Sequence, residues 1–282
     1  MEIFHIRAAI LFIGAFLDAV LLLFLWLKTK SKPAFHFGWS VLFSILYCFS
    51  YGARFAFEHN KIFWTRASWI GMLIMPGFIA FSYSLYEKRS YFKLKIFLWY
   101  LVGAAILIIS VTTPYIVKEV KNEYPYLDTP GFLEPFTRVY LLLALLVGWF
   151  WLLKHYFRSE KEKRLQLKYF ILGIGIHSIG GLIAAAILPL IYPKFNYVDI
   201  SAVLTVPGVF LVTYGFLKRK LFEIRVFLTE ILVVMIAIIL LIQALLAQTL
   251  AAKTLSSVTF FSFLLVGYLL IKVTQREIQR KE

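Results

Sequence analysis

AAILFIGAFLDAVLLLFLWL, residues 8–27, is an unbroken apolar run with a single charged residue, Asp18. A bilayer core about 30 Å thick is crossed by about 20 residues of helix rising 1.5 Å each, so the run has the length and polarity of a spanning helix. It is not built like a signal peptide, because it is as long as a full span, carries an aspartate, and is followed by no small-residue cleavage pattern. It reads as a retained first span. The remainder of the 282 residues continues in the same way: 61% are hydrophobic, 18% aromatic and only 16% charged, against about 25% charged in a soluble domain. The runs are continuously apolar rather than alternating, which favours helices over a barrel, since a helix satisfies its own backbone in lipid. The fold class expected is therefore an all-α, polytopic membrane helical bundle.

Nine spans are expected, at about Ala8–Leu27, Phe35–Phe57, Ala67–Tyr86, Ile96–Val117, Phe136–Leu153, Tyr169–Tyr192, Ile200–Leu217, Val226–Ala251 and Leu255–Val273. Twenty-one of the 30 Lys and Arg residues fall in one alternate set of loops and the C-terminal segment. By the positive-inside rule that set is cytoplasmic, the N-terminus lies outside, and a cell inner (plasma) membrane is the expected location. The net charge of +15 is spread over loops and not gathered on a soluble patch, so nucleic acid is not an expected partner. The lipid bilayer is. The longest outer loop, KEVKNEYPYLDTPGFLEP at 118–135, reads either as a solvated connector or as a lid.

Polar residues within spans narrow the search for function. A carboxylate in mid-membrane costs several kcal/mol unless it faces the bundle interior and finds a partner. Asp18 lies ten residues below Ala8, about 15 Å deep. His177, on the sixth span, sits at about the same depth, and the two are expected to pair. Such a pair either clamps two helices together or responds to a ligand or a proton. Arg54, nearer the outer end, would have to reach inward against the usual direction of snorkelling to meet Asp18. Around His177 the run GIGIHSIGG, residues 173–181, places Gly173 and Gly181 one four-residue step either side of the histidine, as close helix packing requires. Pro76, Pro189 and Pro207 predict kinks. The lone Cys48 permits no internal disulfide and no cysteine metal site.

The chain has no Gly-rich phosphate loop, no His-Glu-x-x-His zinc motif, no Gly-x-Ser-x-Gly elbow and no aspartate cluster for metal-assisted transfer. No enzyme activity, metal or cofactor is expected. The seventh span has no lysine for a retinal Schiff base. A transporter or channel running past Asp18, or a membrane scaffold, remain open alternatives.

The stretch KRKLFEIRVFLTE, residues 218–230, joins the seventh span to a last apolar pair and a charged end, QREIQRKE at 275–282. Its LFEIRVFLTE portion, Leu221, Phe222, Glu223, Ile224 and Arg225 through Glu230, together with the aromatic-rich seven-span layout, resembles the N-terminal seven-transmembrane region of bacterial sensor histidine kinases. The resemblance implies a sensor bundle over 1–217, a cytoplasmic linker over 218–230, a transmembrane hairpin over 226–273 and a charged cytoplasmic tail over 274–282. It also implies two-component signalling, a small ligand or lipid as stimulus, and a homodimer. Because the phosphoacceptor histidine segment would begin where the chain stops, the expected protein is an input module: a truncated gene, a split system with a kinase domain in trans, or a stand-alone sensor.

Overall fold

The computed structural model describes residues 2–29, 31–57, 60–85, 92–120, 128–183, 204–217 and 250–279, with scattered helical positions between 233 and 240. The linker residues Leu221, Phe222, Glu223, Ile224, Arg225 and Glu230 lie outside the described residues, as do Pro189 and most of the expected eighth span. The chain divides into two compact units, Met1–Phe216 and Leu217–Glu282.

The first unit is a succession of helices: α1 (Glu2–Lys28), α2 (Lys32–Ala56), α3 (Lys61–Ala67), α4 (Ile74–Ser84), α5 (Phe92–Thr112), α6 (Glu134–Arg158), α7 (Lys161–Leu182) and α8 (Thr205–Leu217). Among the described residues, five stretches are long and apolar enough to cross a membrane: Arg7–Leu27, Lys32–Ala56, Lys61–Ser84, Leu94–Thr112 and Glu134–Arg158. The molecule is an all-α multi-pass membrane bundle. Its lipid-facing surface is visible in α5, where Leu94, Phe97, Leu101 and Ile108 are all more than half exposed. In water such a surface would drive association; among acyl chains it is simply solvated.

α2 is the central helix, packing on α1, α3 and α4. Its start is set locally: Ser31 adopts extended backbone and its hydroxyl accepts from the Ala34 N–H at 3.3 Å, with Pro33 in the first turn, where a missing N–H costs nothing. Ser31→Ala is expected to lower stability by about 1 kcal/mol, read as a shift in thermal melting in detergent. One core cluster joins Ala8, Leu11 and Ala15 of α1 to Cys48, Tyr51 and Phe55 of α2. A second joins Ile74, Met75 and Ile79 of α4 to Ala144 of α6.

The third expected span, Ala67–Tyr86, is not one helix. α3 passes into a 3-10 segment, Ser68–Leu73, before α4 begins. Pro76 supplies the reason, since it cannot donate to the Met72 carbonyl and its ring crowds that carbonyl. The Tyr140 hydroxyl from α6 lies 3.4 Å from the freed Met72 oxygen and 3.0 Å from that of Trp99. The break is thus compensated by a neighbouring helix. Pro207 falls in the first turn of α8, where it needs no compensation and produces no kink.

The segment between α5 and α6, expected as an outer loop, contains a short antiparallel pair, β1 (Val117–Val120) and β2 (Asp128–Pro130), with Val120 opposite Asp128. This is neither a bare connector nor helical. Arg66 donates to the Val117 carbonyl at 3.3 and 3.1 Å through Nε and Nη2, which pins β1 to α3.

In the second unit, α9 runs without interruption from Leu250 to Gln279. The turn expected between Ala251 and Leu255 does not exist, because Ala252, Lys253 and Thr254 contain no helix breaker and continue the helix.

Candidate functional site: a buried carboxylate beside a small cavity

Asp18 is fully buried in the middle of α1. Its Oδ2 accepts a 2.7 Å hydrogen bond from the Thr205 hydroxyl at the start of α8. Its Oδ1 has no protein partner among the described residues. On the neighbouring α2, the Ser44 hydroxyl and the Cys48 thiol, one helical turn apart, lie beside the carboxylate, but Ser44 Oγ makes no hydrogen bond of good geometry.

Ser44 and Thr205 also line a cavity of about 40 Å³, together with Phe37, Ser40 and His177. A water molecule needs about 10–15 Å³ of such space, so the cavity accepts at most about three water-sized bodies. Most of its wall is apolar, from α2, α4, α6, α7 and α8. The Ser40 hydroxyl is already engaged, donating to the Ile74 carbonyl at 2.7 Å.

His177 reaches this cavity because of two glycines. A Cβ on Gly173 of α7 would come 2.5 Å from the Gly208 carbonyl oxygen, and a Cβ on Gly208 of α8 would come 2.7 Å from that of Gly173 and 3.2 Å from the Cβ of His177. Backbone meets backbone there, as close packing at small residues allows. The expected direct pairing of Asp18 with His177 is not formed. α8 presents Thr205 to Asp18 and, one turn on, Gly208 to His177, so the two side chains address successive positions of one helix rather than each other. The Nδ1 of His177 has no partner among the described residues.

Arg54 belongs to a different place. Only 2% exposed, it pairs through two nitrogens with Asp128 of β2, at 3.0 and 2.8 Å. Its guanidinium also lies over the rings of Tyr51 and Phe55, at 5.5 and 5.7 Å. Arg54 therefore ties the strand pair to the end of α2 and plays no part at Asp18.

At the opposite end of the bundle, four phenylalanines from four helices meet. Phe81 of α4 lies 5.4 Å from Phe37 of α2, 5.3 Å from Phe170 of α7 and 5.9 Å from Phe216 of α8, while Phe170 and Phe216 are 4.7 Å apart. These tilted and edge-on contacts are the geometries aromatic pairs favour. Phe37 forms part of the cavity wall as well, so the cluster is the floor of the polar site.

Residues 10–225 match the family described as the N-terminal 7TM region of histidine kinase. The chain belongs to it. No curated protein and no solved structure matches the chain significantly. The 7TM region of histidine kinase is a sensory region and not a catalytic domain, and the match reaches from within α1 to a point beyond the end of α8. The Asp18 site and the phenylalanine cluster both lie inside that span. Thr205, Ser44 and Asp128, which sequence reasoning missed, carry no local signal: a hydroxyl in an apolar run or an acid in a polar loop becomes notable only once its partner is known.

Proposed function

We propose that this chain is the input module of a two-component system, in which the state of the cavity beside Asp18 is passed through the phenylalanine cluster to the segment 218–230. The observation that carries the proposal is continuity. Phe37 lines the cavity and also meets Phe81 and Phe216, and Phe216 lies two residues before that segment. A stimulus acts only through unequal affinity for two packings of the bundle, and a small cavity walled by five helices is where a small change in occupancy alters helix packing. The output is a histidine kinase domain, engaged through α9 and the charged residues 274–282, with the module working as a dimer.

The distribution of Lys and Arg supports an outside N-terminus and a cytoplasmic C-terminus in the cell inner membrane. Because Cys48 is buried, single cysteines introduced at either end of the bundle can be labelled from one side without interference. Labelling of a residue 118 cysteine only from the cytoplasm would reverse the orientation.

Kinase autophosphorylation in membranes containing the full chain tests the proposal. Asp18→Asn is expected to hold the output in one state. Phe216→Ala, which leaves the Asp18 site intact, is expected to reduce the stimulated-to-basal ratio at least about 5-fold, the lower range of allosteric coupling. Kinase output indifferent to both changes in a folded protein would remove the sensory reading. Uptake of a solute into proteoliposomes, abolished by Asp18→Asn, would favour a transporter instead.

A further inference from the structure

We infer that Asp18 is a proton-binding site: the carboxyl is carried as a neutral acid whose Oδ1–H donates to the Ser44 hydroxyl oxygen, and loss of that proton parts α1 from α2 and α8. The inference rests on the reading of the Asp18 site as sensory and names the proton as the ligand it takes.

Among the described residues no cation pairs with the Asp18 carboxyl, which is 0% exposed. The groups that face it are the Ser44 hydroxyl and the Cys48 thiol from α2 and the Thr205 hydroxyl from α8. Arg54 of α2 is committed to Asp128, and His177 of α7 stands against Gly208, one turn along α8 from Thr205. An uncompensated charge in a dry interior is so costly that a buried acid takes up a proton instead.

The hydrogen bonds say where that proton sits. Thr205 donates to Oδ2 at 2.7 Å, which makes Oδ2 the carbonyl oxygen and leaves Oδ1 to carry the hydrogen. Oδ1 and Ser44 Oγ are both buried and both lack a partner, although the hydroxyl stands beside the carboxyl. One bond from Oδ1–H to Oγ satisfies the two together. An ionised carboxylate accepting from Ser44 makes the same number of bonds but keeps a whole charge that no neighbour offsets. The neutral acid ties α1 to α2 and to α8 with no charge left over.

The surroundings also fix how the proton leaves. Asp18 is not part of the cavity lining, and most of that wall is apolar, whereas an ordered water needs about two to four polar partners. No chain of water leads to the carboxyl while the helices are closed. The proton passes to water only when α1 draws away and water enters. The carboxylate left behind then requires hydration and opposes re-closure. Proton release and the change in helix packing are one event, so the two packings bind the proton with unequal affinity.

The chain carries its own reporter, since its one cysteine, Cys48, is buried beside Asp18. With the full chain in lipid vesicles at neutral pH, the infrared difference between wild type and Asp18→Asn is expected to show a protonated-carboxyl C=O band that the variant lacks. Thr205→Val removes the donor to Oδ2 and should move that band to higher frequency, which supplies the reading if Asp18→Asn does not fold. Alkylation of Cys48 by N-ethylmaleimide, followed from neutral to alkaline pH, should rise at least about 5-fold more in the wild type than in Asp18→Asn, the lower range of allosteric coupling. The variant should show only the thiol's own increase in thiolate. A wild-type spectrum without the band, or a band indifferent to Thr205→Val, would overturn the proton. Parallel labelling curves would overturn its link to packing. If both measurements hold while kinase output ignores pH, the proton site stands and the sensory reading falls.

Discussion

Arg54→Ala is expected to lower the stability of the bundle by about 2–3 kcal/mol, measured by thermal or SDS-induced unfolding in micelles. Breaking a fully buried ion pair costs about 3–5 kcal/mol because it strands the remaining charge; here Asp128 is 29% exposed and can be partly rehydrated, which lowers the figure. The loss includes packing, since the guanidinium lies over Tyr51 and Phe55. The double variant Arg54→Met with Asp128→Val should recover most of the stability, because paired apolar residues of similar volume replace a buried pair at little cost. A change within about 0.5 kcal/mol for Arg54→Ala, the size of an ordinary surface substitution, would show that the pair does not anchor the strands.

The same pair has a pH signature. Burial pushes the Asp128 carboxyl above its ordinary value, and Arg54 pulls it down less strongly. The folded protein therefore holds that proton to higher pH than the unfolded chain. Its contribution to stability is greatest below the ordinary carboxylate range and is lost as pH rises through the folded value. Removing Arg54 takes away the downward pull, so in Arg54→Ala the loss with rising pH should grow larger and extend to higher pH.

Gly173→Val is the second large effect. A single Cβ at residue 173 already meets the Gly208 carbonyl oxygen at 2.5 Å, and Val212 and Leu211 side chains at 2.9 and 3.1 Å. The backbone of α8 cannot rotate away as a side chain would, so α7 and α8 must separate, at a cost of about 1–3 kcal/mol or more. Separation also moves His177 off the cavity. Gly175, two residues along the same helix, is the control: its Cβ would find Trp149 no nearer than 3.7 Å, and Gly175→Ala should be neutral or stabilise by up to about 1 kcal/mol from helix propensity. Equal effects at 173 and 175 would mean that the close crossing does not exist.

The reading of residues 8–27 as a membrane span, and of the chain as a helical bundle, was available from composition because lipid demands long apolar helices with internally satisfied backbones. The boundaries of the second span were legible within a few residues from its apolar run alone. The third was not, because the 3-10 segment answers to Pro76 and to a tyrosine on another helix. Of the glycines flanking His177, Gly173 packs as read, yet its partner, Gly208, was invisible in sequence.

By itself, then, the sequence determined that the protein crosses a membrane many times, that Asp18 must face inward, and that the chain is similar to a sensory family through its seven-span layout and the stretch at 221–230. Only the tertiary structure decided who meets whom. Depth along a helix can be counted from a sequence, but rotation about the helix axis and the order of helices around the bundle cannot. Those two quantities gave Asp18 to Thr205 instead of His177, Arg54 to Asp128, and four scattered phenylalanines to one another.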